Sequence, residues 1–310
     1  MLLLGCCALV IYFSSGSHLP HTPAHILNFP DDRVAIPIRY LYDRPVIDVI
    51  INDQGPFALL LDTGATSVSL ESSVIEQLQL PEIGTATTKN AASEQIASKK
   101  FSVDHMAIAN ASLQSVAILE SHFFESNGMP LIGGIWGMRH FGEHVVTIDF
   151  SKNVLVLDHK LDTATATKHS PWSSISLNGG CPEVSIEFNG ESHPFLVDTG
   201  SQGGLTVSKE TAHSLPRHPT QYNELSAVAG GMFWSNSTRL TANALLGSHV
   251  LEKPYITCYE KHPGRNLIGM DVQRHFVIEI DLAGKRIRFS QQNPSSLSFP
   301  DKKRLGIQVA

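Results

Sequence analysis

Residues 59–70 read LLLDTGATSVSL and residues 195–207 read FLVDTGSQGGLTV. In each stretch an apolar run delivers an Asp-Thr-Gly triplet, Asp62-Thr63-Gly64 in the first and Asp198-Thr199-Gly200 in the second. At about 7% Gly and roughly 5 to 6% each of Asp and Thr, a chain of this length holds on the order of 0.06 such triplets by chance, so the two copies are not accidental. A β-turn alone would place Asp beside Gly. The apolar strand feeding each Asp argues for more, because it carries a carboxyl group to the end of a buried strand, where desolvation raises its pKa.

A second repeat lies downstream of each triplet. Residues 137–157 read GMRHFGEHVVTIDFSKNVLVL and residues 269–289 read GMDVQRHFVIEIDLAGKRIRF, matching at Gly137/Gly269, Met138/Met270, Val145/Val277, Ile148/Ile280 and Asp149/Asp281. The offset is 132 residues here (269 − 137) and 136 between the triplets (198 − 62). Two features in the same order at nearly one offset imply duplicated lobes, and the period is far longer than that of a solenoid.

Each lobe follows one plan. A strand (46–51; 184–188) meets turn residues, Asn52-Asp53-Gln54-Gly55 or Asn189-Gly190-Glu191, and returns as the apolar strand into the triplet. A helical segment follows: Ser73-Val74-Ile75-Glu76 has capping-box spacing, and 208–215 is its counterpart in the second copy. Each lobe closes with the Gly-Met turn and a strand pair. The expected division is a leader at 1–17, a linker at 18–33, lobe one at 34–160, a linker at 161–173, lobe two at 174–292 and a tail at 293–310.

Composition agrees. The 310 residues are 42% apolar and 17% charged, enough for a sizeable core and too apolar for a disordered chain. The net charge of −6 offers no excess of cations for a phosphate backbone, which argues against nucleic acid as a partner. With 23 Gly and 17 Pro among short alternating runs, the fold class reads as all-β with short helices.

Two Asp-Thr-Gly motifs behind apolar strands, each followed by an apolar-Gly turn (Trp136-Gly137 and Ile268-Gly269), resemble the aspartic proteases of the pepsin and retropepsin superfamily. The likeness covers roughly residues 36–289, and its wording is closest to bacterial exported retropepsin-like proteases. It implies a bilobal acid-protease fold of two homologous β-barrel-like lobes with the active cleft between them. It also implies an endopeptidase acting on a peptide or protein substrate without a cofactor. Viral relatives build this site from a dimer; here both halves share one chain, which implies a monomer.

The chemistry explains the duplication. Two carboxyl groups about 3 Å apart cannot both ionise, the known behaviour of aspartic proteases, so they share one proton and titrate as a pair. The anion can take a proton from a water while the acid donates to the scissile carbonyl. Asp62 and Asp198 are therefore the expected catalytic pair. Gly64 and Gly200 would let main-chain N–H groups approach the carboxylates, and the resemblance implies that Thr63 and Thr199 interlock across the lobes. The copies differ next at Ala65 and Ser201, and a hydroxyl can stabilise a carboxylate where a methyl cannot; this makes Asp198 the candidate base, with Ser201 its support. The alternative is that Ser201 points elsewhere.

Family members cover the cleft with a hairpin flap. Gly230, Gly231, Phe233 and Trp234 are the candidates, glycines for bending and large rings for excluding water. The matching stretch 89–93, KNAAS, lacks glycines and aromatics, which motivates a rival reading as a catalytically silent peptide-binding protein.

Cys181 and Cys258 either pair or remain two buried thiols. Residues 1–13, MLLLGCCALVIYF, resemble the apolar region of an export signal without its positive start, and Leu3-Leu4-Gly5-Cys6 resembles a lipoprotein box. The expectation is an exported protein, periplasmic or held to a membrane through its N-terminus if bacterial, with Cys6 as the lipidation candidate. His140 and His144 have the spacing of a metal pair but lack the H-E-x-x-H order on a helix, so no metal is expected.

Overall fold

The computed structural model describes residues 12–13, 26–89, 95–160, 170–228, 231–259, 265–291 and 296–300. Residues 161–169 of the expected 161–173 linker, Gly230 and Cys6 lie outside them, and Ser173 already begins a strand.

The architecture grows from four hairpins with two-residue loops. In lobe one, Arg39–Leu41 turns through Tyr42 and Asp43 into Arg44–Ile51, which turns through Asn52 and Asp53 into Gln54–Asp62. Lobe two repeats this with Ser173–Asn178, Gly179-Gly180, Cys181–Phe188, Asn189-Gly190 and Glu191–Val197. All eight loop residues have positive φ, between 47° and 91°. That is the backbone of tight hairpin turns whose twist matches the strands, and Asn, Asp and Gly tolerate it best.

The returning strands are buried on both faces: Leu59, Leu60 and Leu61 in one lobe, Phe195, Leu196 and Val197 in the other. Continuous apolar character is what a strand covered on both sides requires. Each gains a parallel neighbour from the Gly turn. Gly134–Gly137 pairs with 59–62, and Leu267–Ile268 pairs with 196–197. A Cβ on Gly137 would lie 2.6 Å from the Ser67 nitrogen, and one on Gly269 would lie 2.1 Å from the Gly203 oxygen. No larger residue permits this approach of main chain to the loop after the triplet.

The lobes are joined by six antiparallel strands in the order Ser173–Asn178, Arg286–Ser290, Val277–Asp281, Val145–Asp149, Val154–Asp158, Arg33–Pro37. At the central pairing Val145 faces Asp281, Thr147 faces Glu279 and Asp149 faces Val277. Exchanging each residue for its repeat counterpart turns the Val145/Asp281 pair into the Val277/Asp149 pair, so a pseudo-two-fold axis passes through the Thr147/Glu279 pair. Ile148, Ile278 and Ile280 are fully buried, each contributing about 1.5–3 kcal/mol.

Long hairpins project from both lobes: Glu82–Lys89 with Gln95–Ile108, and Arg217–Val228 with Gly231–Leu240. Residues 90–93 of the KNAAS stretch and residues 229–230 of its counterpart lie outside the described residues. Tyr12–Phe13 pairs with the end of the first, Tyr12 opposite Lys89.

Two local expectations are corrected. The first helix runs Ser72–Leu78 with Glu71 as N-cap and no side-chain cap bond, so Ser73 sits inside it and the capping box is not used. Glu71 is instead drawn away: its buried carboxylate accepts the N–H groups of Phe123 and Glu125, both at 3.1 Å, at the start of another short helix. In lobe two Ser208 does cap Lys209–Ser214, accepting the Thr211 N–H at 3.0 Å. Cys181 and Cys258 are free thiols. Cys258 lies on Tyr255–Tyr259, four strand places from Cys181–Phe188 in the sheet. Three strands lie between theirs in the sheet, and neither thiol has a sulfur partner.

Candidate active site

Asp62 ends one buried strand, Asp198 follows the other, and both are fully buried. Each carboxylate is held first by its own loop. The Gly64 N–H donates to Asp62 Oδ1 at 2.8 Å, and the Gly200 N–H donates to Asp198 Oδ1 at 2.8 Å. Ser201 adds its main-chain N–H to Asp198 Oδ1 at 3.1 Å. No N–H or O–H of a described residue reaches the other oxygen, Oδ2, of either group.

Each carboxyl sits against the glycine of the opposite lobe. A Cβ on Gly64 would stand 2.7 Å from Asp198 Cγ, and one on Gly200 would stand 2.5 Å from Asp62 Oδ2. Glycine is required at both positions for this reason alone, since neither has positive φ.

The threonines fix the approach. Thr63 N–H donates to Thr199 Oγ1 at 3.0 Å and Thr199 N–H to Thr63 Oγ1 at 3.1 Å. Each hydroxyl then donates across the interface, Thr63 to the Val197 carbonyl and Thr199 to the Leu61 carbonyl, both at 2.6 Å. These four bonds, related by the pseudo-two-fold, tie the lobes together, two between the threonines and two from a threonine to the other lobe's apolar strand.

Burial, above all, raises both carboxyl pKa values. The charge of Asp198 pushes Asp62 higher still. At Asp198 a hydrogen bond from Asp62, the amides of Gly200 and Ser201, and the charge of Arg44 act in the opposite sense and leave it at about 7. Both carboxyls are thus drawn toward the protonated form, and two such neighbours titrate as one pair.

Arg44 is a site residue that sequence reading missed. Only 2% exposed, it reaches from lobe one to donate to the Gly200 carbonyl at 2.8 Å and to Gln202 Oε1 at 3.3 Å. Its repeat counterpart is Cys181. Both open an eight-residue strand, both follow a two-residue turn and both precede proline. Cys181 Sγ lies 3.9 Å from Thr66 Oγ1, and Thr66 donates to the Gly179 carbonyl just as Gln202 donates to the Tyr42 carbonyl. The shared Arg-Pro and Cys-Pro openings were the available clue.

Of the flap candidates, Gly231 begins the return strand and Trp234 is 55% exposed opposite Leu225. Phe233 lies on the same strand, opposite Ser226. The histidines have structural roles: His140 packs edge-on to Trp136, and His144 packs against Phe29 while bonding the Leu27 carbonyl at 2.9 Å. Among the described residues no cluster of three His, Cys, Asp or Glu could hold a metal ion.

A family model described as aspartyl protease matches residues 47–139 and again 184–272, the two copies of the repeat. Among solved structures the chain is similar to basic 7S globulin from soybean. The TM-score is 0.51 at 13% identity, covering 86% of this chain and 96% of that one, a likeness of fold. No curated protein matches. With the family model matched over both lobes, and both triplets brought face to face within them, the chain belongs to the aspartyl protease family.

Proposed function

We propose that this protein is an aspartic endopeptidase using Asp62 and Asp198 on a water molecule. The observation that carries the reading is the mutual seating of the carboxyls, each against the other lobe's glycine and each with an Oδ2 that no N–H or O–H of a described residue reaches. A pair in this setting holds one proton across a wide pH range. Asp198, as the anion, takes a proton from water as it attacks the scissile carbonyl carbon. Asp62 gives its proton to the carbonyl oxygen, and a tetrahedral intermediate forms without a covalent bond to the enzyme. Return of a proton to the amide nitrogen expels the amine.

The substrate is a peptide or protein chain lying between the lobes, with the hairpin that carries Trp234 as a flap over it. The test is cleavage of a mixed peptide library from pH 3 to 7 by the native protein beside Asp62→Asn and Asp198→Asn. Cleavage by the native protein alone supports the reading. Undiminished cleavage by either variant overturns it.

A further inference from the structure

We propose that Arg44 decides which aspartate is charged: it brings a buried guanidinium to the Asp198 side of the pair, while the equivalent position on the other side holds the neutral thiol of Cys181. The proposal deepens the protease reading and rests on it.

The lobes are alike almost everywhere the pair touches them. Gly64 and Gly200 supply equivalent amides at 2.8 Å, and the threonines exchange equivalent bonds. Ser201 reaches the Asp198 carboxylate through its main chain, and the main-chain N–H of Ala65 likewise acts on Asp62. A symmetric frame gives the shared proton no preferred side.

Arg44 breaks the symmetry. It donates to the carbonyl of Gly200, two residues from Asp198, and no carboxylate forms an ion pair with it among the described residues. Its Nε–H is buried and meets no acceptor among the described residues. An uncompensated buried cation is costly, so its field is available to whichever carboxylate lies nearest. Arg44 favours the ionised form of Asp198, whereas burial above all, with the charges of both aspartates behind it, keeps Cys181 a thiol.

The charged or titratable groups facing the pair are few. They are Arg44 from the strand Arg44–Ile51, Cys181 with Glu183 near it from Cys181–Phe188, and the two aspartates themselves. Among these groups of the described residues, Arg44 alone carries a positive charge. It is a positioning residue: it acts on the proton through Asp198 and the Gly200 loop.

The test uses full-length protein labelled with carbon-13 at the aspartate carboxyls, assigned with Asp62→Asn and Asp198→Asn and titrated by NMR. The acidic limb of kcat/KM for a cleaved peptide is read beside it. Arg44→Gln keeps a donor for the Gly200 carbonyl and removes the charge, Arg44→Lys restores the charge, and Cys181→Ser and Ser201→Ala are controls. The expected result is an Asp198 step raised by about one pH unit in Arg44→Gln, with the acidic limb following it. Arg44→Lys returns both close to native positions, and both controls leave them in place. An unmoved step in folded Arg44→Gln overturns the proposal, as does a shift in Ser201→Ala in its stead. The two readings fail separately. Native protein that cleaves peptides with a limb indifferent to Arg44 sinks only the present proposal, whereas carboxyl steps that move with Arg44 in a protein that cleaves nothing sink only the protease reading.

Discussion

Thr63 and Thr199 hold each other twice, each main-chain N–H donating to the other's hydroxyl at 3.0 and 3.1 Å. Because each hydroxyl also donates to the opposite lobe's strand, Thr199→Val strips partners from the Thr63 N–H and the Leu61 carbonyl together. Both groups are buried, and leaving a buried polar group unpaired costs about 1–3 kcal/mol. Urea unfolding is expected to show Thr199→Val less stable by roughly 2–4 kcal/mol. Thr199→Ser, which keeps the hydroxyl, is expected to stay within about 1 kcal/mol of native. Equal loss in both would mean that packing of the methyl group, and not the exchanged bonds, matters.

Gly200→Ala places a methyl group where Asp62 now lies, 2.5 Å from its Oδ2. The carboxyl must shift, and displacement of a reacting group by about 1 Å costs on the order of 100-fold in rate. Peptide cleavage by Gly200→Ala is expected to fall by at least about that factor while circular dichroism still shows a folded β protein. Native-like turnover would show that the carboxyl position is not critical.

Stability should respond to pH at the pair itself. Asp198 is raised to about 7 in the folded chain against about 4 unfolded, so the folded state binds more protons between those values. The sign follows: this contribution is intact below about pH 4 and is lost as pH rises toward 7. Asp198→Asn removes the penalty and is expected to raise Tm at pH 7 to 8, by a gain of a few kcal/mol, with little change at pH 4. A variant no more stable than native at pH 8 would contradict the raised pKa.

His144 gives the opposite slope. Burial, reinforced by His159, holds its imidazole below the ordinary value although its ring bonds the Leu27 carbonyl. Stability from a depressed histidine is present above about pH 6.5 and is lost as pH falls toward the folded value. The segment it clasps is tied by Leu27 N–H to His140 and Asn28 N–H to Ser112, both at 2.9 Å. Hydrogen exchange at these two amides, corrected for intrinsic rate, is expected to quicken between pH 7 and 5 in native protein and not in His144→Gln. Equal protection at both pH values would remove the clasp from the account.

The duplicated plan was legible because it rests on identities: two Asp-Thr-Gly triplets, two Gly turns whose missing Cβ the packing demands, and apolar strands buried on both faces. The hairpin loops were legible through Asn, Asp and Gly at positive φ. Arg44 was not, since its equivalence to Cys181 is one of position alone; a guanidinium and a thiol share no pattern until the strands place both beside the pair. The capping box expected at Ser73 failed for a related reason, because the residue that does precede the helix, Glu71, turns its carboxylate to a helix 52 residues on, which leaves no local signature. Pairing of Cys181 with Cys258 depended on strand order, which the spacing of two cysteines does not encode.

One hydrogen between two carboxyls is the claim on which the rest depends, and neutron diffraction from deuterated crystals near pH 8, above the Asp198 step, observes it directly. A single deuteron bound to Asp62 and directed at Asp198 is the predicted result. Two bare carboxylates, or a deuteron on each, would contradict it.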